Sequence, residues 1–276
     1  DGNPVMDDHL MQAALAAAKS HDLPVISHCE DLNLVAGGVM NAGAVAREMK
    51  LAGISNASES VMVERDIALS ELTGAPVHIA HVSTAESVRA LREAKSRGLK
   101  VTAETAPHYF MLTDETVRQL GTDAKMNPPL RSAEDQEAIR KGLADGTIDV
   151  IATDHAPHSS QEKAVEFKEA ANGIIGLETA VSLGLKLVQE GVISLVQLIE
   201  KMSTNPALIL GIESGLRPDR PADITIIDPH VAFKVDIKQF QSLSKNCPFD
   251  GWQFLGKAVL TMVDGRVVFE EEIPNK

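Results

Sequence analysis

The sequence predicts a parallel α/β fold of the barrel type followed by a small β domain, and three observations carry that reading. Three apolar runs each end on a side chain able to bind a metal: Pro24-Val-Ile-Ser-His28, Val77-His-Ile-Ala-His81 and Asp149-Val-Ile-Ala-Thr-Asp154. Over residues 1–213 such runs alternate with helical patterns, the signature of successive β/α units. After Asn205-Pro206 the texture changes to strands joined by turns. Parallel strands whose carboxyl ends converge on one point build the active site of a (β/α) barrel, so the three terminal ligands point to a metallohydrolase.

Taken in order, strands are expected at residues 25–28, 77–81, 101–105 and 150–154. Four strands are legible, against the eight of a closed barrel. The piece between His28 and Val77 is long for one connection, and Gly37-Gly38, Gly43 and Gly53 mark a loop excursion before a helix over residues 59–72. Ser83-Thr-Ala-Glu86 reads as a capping box that opens a helix over residues 88–95. Ser132 with Asp135 opens another that runs to Gly142. Gly98, Gly146 and Gly191 follow helical runs, where a left-handed cap is expected. Residues 220–228 and 259–269 read as strands, the second broken by an Asp264-Gly265 hairpin turn. The expected division is a barrel part over residues 1–213 and a small β domain over residues 214–276.

With 276 residues, of which 44% are apolar, the chain can bury a sizeable core. Its formal charge of −13, one Trp and one Tyr offer no basic surface interleaved with aromatics, which excludes nucleic acid and anionic lipid as expected partners. That charge repels a small anionic substrate, so a site for one needs a local positive centre, which a divalent cation would supply. Cys29 and Cys247 form no disulfide framework and fit a reducing compartment. No charge-free stretch approaches a membrane span and no basic segment leads an apolar core at the start, so no membrane association and a cytoplasmic location are expected.

Imidazole and carboxylate suit zinc and similar divalent metals. His78 and His81 differ by three positions and point to opposite faces of a strand, so His81, at the tip, is the ligand candidate. Asp154 and His155 face apart likewise, and His158 lies in a loop held by Pro157. Any one histidine alone would more often be a core or surface residue than a ligand; three strand-terminal ligands together favour the metal. Asp154 is the acid/base candidate, its alternative being a helix cap. Asn127-Pro-Pro-Leu-Arg131 offers an amide and a guanidinium to a polar substrate, or is an ordinary turn. Gly173-Ile-Ile-Gly176 could bring backbone N–H groups to a ligand. Cys29 neighbours His28 but faces away from it, against a Cys–His nucleophile. Asp7-Asp8 and Glu270-Glu-Glu272 read as solvated charge runs.

Five motifs, in order and spacing, resemble the class I dihydroorotases of the amidohydrolase superfamily: Asp1-Gly-Asn-Pro4, Ser27-His-Cys-Glu-Asp31, His81-Val-Ser-Thr84, Lys125-Met-Asn-Pro-Pro-Leu-Arg131 and Ala152-Thr-Asp-His-Ala-Pro-His158. The likeness continues through Gly173-Ile-Ile-Gly-Leu-Glu-Thr179, Pro221-Ala-Asp-Ile224 and Pro248-Phe-Asp-Gly-Trp252. It implies a (β/α)8 barrel with a small β-sandwich, one or two zinc ions, and reversible cyclisation of N-carbamoyl-L-aspartate to L-dihydroorotate in pyrimidine synthesis. By the same resemblance Asp1, His28, His81 and Asp154 are metal ligands, with Asp154 also the general base and acid. Asn127, His158 and the Asn172-Gly173 backbone resemble the substrate-holding set. Ile54-Ser55-Asn56 stands where a proline is usual, and Tyr109 where a histidine is frequent. The family's His-x-His-x-Arg motif and first barrel strands are absent, so the chain is expected to be the C-terminal part of a longer polypeptide, with the missing N-terminal segment as its first partner. A homodimer is expected, with aspartate transcarbamoylase a further candidate partner. The alternatives are a hydantoinase or allantoinase, and a catalytically silent companion of aspartate transcarbamoylase.

Overall fold

The computed structural model describes residues 3–271. Its first layer is a parallel sheet in the order β1-β4-β5-β6, made of β1 (Val25–Ser27), β4 (Val77–Ile79), β5 (Val101–Thr105) and β6 (Val150–Ile151). Val25 pairs with Val77, Val77 with Val101, and Glu104 with Val150. β5 has its expected length, but β1, β4 and β6 are shorter than their apolar runs. The chain leaves extended geometry before each ligand, and both His81 (φ 39°) and Asp154 (φ 46°) are left-handed. A non-glycine residue in that region is strained and persists only where its surroundings hold it. The strand alternation used to orient these two side chains therefore stops short of them, and the turn geometry sets their direction.

Four parallel strands form an open sheet among the described residues, the number legible in the sequence; the barrel implied by the resemblance, whose first strands the chain was expected to lack, is not closed by them. β1 is an edge, and its Ile26 is 56% exposed. Ile79, Leu91, Phe110, Ile139, Leu143 and Ile148 are fully buried between the sheet and its helices. The long excursion after His28 contains a two-residue parallel pairing of β2 (Met40–Asn41) with β3 (Gly53–Ile54), then the helix Ala57–Thr73. The helix Ala85–Ser96 is capped by Thr84, whose side chain accepts from the Ser87 N–H, and not by Ser83 as expected. Glu59 takes the Ser83 hydroxyl instead. Ser132 and Asp135 form the expected capping box, and their helix runs Ala133–Asp145 to a left-handed Gly146.

The last part is a three-stranded antiparallel sheet of β7 (Ile224–Lys234), β8 (Gln253–Val263) and β9 (Arg266–Glu270). Asp264 (φ 48°) and Gly265 (φ 73°) make the expected hairpin turn. Among the described residues this is one sheet, where two sandwich layers were expected. It is fastened to the helix Ala180–Gln189: Ser182 donates to the Gly256 carbonyl at 2.9 Å and Gln189 to that of Leu255 at 2.6 Å. Gly256 is needed there because a Cβ would lie 2.6 Å from Leu185. No helix among the described residues is long and apolar enough to cross a membrane.

Candidate active site

The carboxyl ends of β1, β4 and β6 open onto a cavity of about 250 Å³ lined by His28, His81, Asn127, Asp154, Asn172 and Gly173, with Met126 and Ala156. Six of the eight residues singled out in the sequence thus share one wall. Asp1 lies outside the described residues. His158 lines a neighbouring cavity of about 740 Å³ and meets the first through its Nε2, 2.8 Å from the Asn172 carbonyl.

His28 Nδ1 lies 2.8 Å from His81 Nε2, and His28 Nε2 lies 3.3 Å from Glu30 Oε2. A carboxylate on Nε2 holds the proton there, which leaves Nδ1 as the acceptor and His81 Nε2–H as the donor. To share a metal the pair would have to part, with the His81 proton moved from Nε2 to Nδ1, so that both facing nitrogens are lone pairs. The donor chemistry fits: two imidazoles and a carboxylate face one cavity. Among the described residues, no three His, Cys, Asp or Glu side chains are drawn together closely enough to hold an ion.

Burial, and then the proximity of His28, lowers His81 to about 4. Burial raises Asp154 above the usual carboxylate range, Glu104 adds to this and His28 opposes it. For Glu30 burial acts upward, but the hydrogen bond and charge of His28 and the Asn127 amide outweigh it and hold the carboxyl low. Asn127 Nδ2 reaches Glu30 Oε2 at 3.3 Å.

Buried polar contacts behind the cavity hold its ligands. Asp66, fully buried, accepts from Ser27 at 2.5 Å and from Cys29 Sγ at 3.3 Å, the two residues flanking His28, and pairs with Arg65 at 2.8 Å. Glu59, 3% exposed, accepts from the N–H groups of Ser83 and Thr84, both at 3.1 Å, and from both hydroxyls, which fixes the turn after His81. For Arg131 the sequence left open a guanidinium offered to a substrate or an ordinary turn. It is buried, donating to Ser83 Oγ at 3.1 Å and to the Ile54 carbonyl at 3.0 Å, with Glu59 3.9 Å away. Its role is structural because it is buried, its Nε and Nη1 donors are used within the protein and its Nη2 faces Glu59.

Two further expectations meet the structure here. The N–H groups of Gly173, Ile175 and Gly176 go to Lys125 O, Asn246 O and His155 Nδ1, so they are not free for a ligand. Gly173 (φ 136°) serves through its missing side chain: a Cβ would lie 2.5 Å from that of Ala156 and 3.0 Å from His158 Nε2. Cys29 is a buried free thiol, and burial followed by the Asp66 charge raises its pKa well above the ordinary value, which agrees with its exclusion as a nucleophile.

Sequence reading missed His108 and Asn246. His108 is 1% exposed, its Nε2 lies 3.9 Å from Asp154 Oδ2 and has no hydrogen-bond partner, and burial lowers it to about 3. It sits in a short helix, Pro107–Met111, with no strand-terminal signal to reveal it. Asn246, 4% exposed in the last third of the chain, donates to the carbonyls of Ala156 and Gly173, each at 3.0 Å. His78, rejected as a ligand, is buried away from this cavity, 2.8 Å from Thr102 and 3.2 Å from Glu104.

A family model described as "Amidohydrolase family" matches residues 2–268. The chain is 55% identical over 273 residues to a protein of Syntrophus aciditrophicus named dihydroorotase, covering 99% of this chain and 64% of that one. It is 57% identical over 271 residues to the dihydroorotase of Citrifermentans bemidjiense, covering 98% and 64%. The chain thus spans under two thirds of the curated relatives it matches. Among solved structures, the L-hydantoinase of Arthrobacter aurescens superposes with a TM-score of 0.88 at 30% identity, over 99% of this chain and 63% of that one. The dihydropyrimidinase of Brevibacillus agri gives 0.86 at 24% identity, over 96% and 61%, a likeness of fold.

Proposed function

This chain belongs to the amidohydrolase family, and we propose that, within its whole protein, it carries the larger part of a zinc-dependent dihydroorotase site. The observation that carries the reading is the convergence of His28, His81 and Asp154 on one cavity from three strand ends, in a chain 55% identical to proteins named dihydroorotase. The reaction proposed is the reversible cyclisation of N-carbamoyl-L-aspartate to L-dihydroorotate.

His28, His81 and Asp154 would hold the metal, with Asp1 as a further carboxylate. When bound, zinc supplies Lewis acidity toward the amide carbonyl. In the hydrolytic direction Asp154 takes the proton of the attacking water and hands it to the departing ring nitrogen. Glu30 keeps the His28 proton on Nε2, so that Nδ1 faces the cavity as a lone pair. Asn127 and His158 orient the substrate carboxylate, each releasing its present partner to do so. The proposal locates the enzyme in the cytoplasm, as a homodimer, with aspartate transcarbamoylase the partner to seek by co-purification.

A hydantoinase reading is favoured by one observation, the TM-score of 0.88 to an L-hydantoinase; identity of 30% there, against 55% to the dihydroorotases, ranks it second. Assaying the whole protein with dihydroorotate, hydantoin and allantoin side by side separates the two. Dihydroorotate should be turned over at least about a hundredfold more efficiently, because groups built for a carboxylate are left unpaired by an uncharged ring. Faster hydrolysis of hydantoin would replace the proposal with its alternative.

A further inference from the structure

Two buried ammonium groups lie behind the cavity wall and have no part in the chemistry above. Lys125 is 4% exposed and Lys163 5%. Among the described residues neither has a carboxylate within ion-pair distance, in contrast to the surface lysines 186 and 257. Their protons go to main-chain carbonyls: Lys125 Nζ to those of Lys168 (3.2 Å) and Ala170 (2.6 Å), Lys163 Nζ to those of Ala171 (2.9 Å) and Gly173 (3.0 Å). All four acceptors belong to one stretch, residues 168–173, that ends at the Asn172-Gly173 wall. Asn246 shares the Gly173 carbonyl with Lys163, and the Lys125 carbonyl receives the Gly173 N–H.

A stretch of chain could be stapled by neutral amides, as Asn246 already does on the same carbonyl. Burying two cations without paired anions is costly, and carbonyl dipoles offset only part of that cost. What the cations add is charge. Asp154 lines the cavity with Glu104 acting on it, Glu30 stands behind His28 and Asn127, the chain's net charge is −13, and Arg131, the nearby guanidinium, is turned to Glu59. Asp123 is the acidic group that acts on Lys163 most directly. Lys163 is pushed down to about 8 by burial, so at neutral pH it remains mostly an ammonium.

We propose that Lys163, supported by Lys125, is a specificity-determining residue: its buried charge makes the Asn172-Gly173 wall electropositive and selects a ring substrate that bears a carboxylate. It acts through the wall and not by touching the reacting atoms. This inference rests on the dihydroorotase reading and deepens it. Its structural competitor is a loop staple with no electrostatic role.

The test uses the whole metal-loaded protein and Lys163→Gln, which keeps a donor for the carbonyls and removes the charge. Calorimetric titration with orotate, and with uracil as the same ring lacking the carboxylate, is repeated on protein stripped by a chelator; KM is measured for dihydroorotate and dihydrouracil. Lys163→Gln should weaken orotate binding and raise the dihydroorotate KM by about tenfold, leaving uracil and dihydrouracil within about twofold. Lys163→Arg should restore most of the loss. Equal effects on charged and uncharged rings, or none on either, overturn the proposal in favour of a staple. Should Lys163→Gln fail to fold, the half-buried Asp123→Asn gives the opposite reading: removing the opposing charge should tighten orotate about twofold to threefold, and unchanged affinity overturns the inference. A wild-type protein that neither binds orotate nor turns over dihydroorotate overturns the functional reading and this one with it, whereas normal wild-type binding with unaltered charge selectivity in the variants refutes this one alone.

Discussion

Glu59→Gln isolates the contacts that hold the turn carrying His81. The carboxylate accepts from two backbone N–H groups and two hydroxyls at Ser83 and Thr84, and faces Arg131, whose side chain is 2% exposed. The amide replaces one acceptor oxygen by a donor, so at least one of those donors loses its partner and the buried guanidinium loses its counter-charge. Breaking one side of a buried ion pair costs about 3–5 kcal/mol. With an unfolding entropy of about 2 cal/mol/K per residue over a whole protein of the relatives' length, of which this chain spans about 64%, that corresponds to a fall in Tm of about 3–6 °C. Scanning calorimetry of the whole protein reads it directly. The substitution should also weaken metal retention, because His81 is strained and depends on the turn that follows it. Adding Arg131→Met to Glu59→Gln should cost less than the sum of the single changes, since removing both charges leaves neither stranded. A Tm within about 1 °C of wild type, or strict additivity in the double variant, would refute the assignment of this pair as the support of the His81 turn.

Asp154→Asn should lower kcat by about 10²–10⁴ with KM within about threefold, whereas His158→Ala and Asn127→Ala should mainly raise KM; steady-state kinetics showing the reverse would mean the chemical and binding roles are exchanged. Zinc content measured by elemental mass spectrometry should fall clearly in the His28→Ala, His81→Ala double variant, and unchanged stoichiometry would sink the ligand assignment. Burial pushes Cys247 up to about 11 and Cys29 well above its ordinary value, so at pH 8 both stay protonated and shielded. Peptide mapping after alkylation of the native protein should find neither modified, and both after denaturation; rapid native labelling of Cys29 would contradict its contacts with Ser27 and Asp66.

The sequence alone named the side chains that line one cavity and the order in which the chain presents them. His28, His81 and Asp154 were legible because short apolar strands ending on imidazole or carboxylate are a local pattern, and local patterns survive without tertiary context. The Ser132–Asp135 box and the Asp264-Gly265 turn were legible for the same reason, each being decided within four residues. Whether Ser83 or Thr84 caps the next helix was not, because Glu59, 24 residues earlier, takes the Ser83 hydroxyl. Arg131 looked available because nothing near it in sequence pairs with it; its partners Ile54 and Ser83 lie 77 and 48 residues away. The backbone N–H groups of Gly173 and Gly176 looked free until tertiary contact gave them Lys125 and His155. His108, Asn246 and Lys163 carry no motif that sets them apart from ordinary loop or helix residues. What gives them a role is burial beside the cavity, where water no longer satisfies a polar group and its only partners are those brought in by the fold.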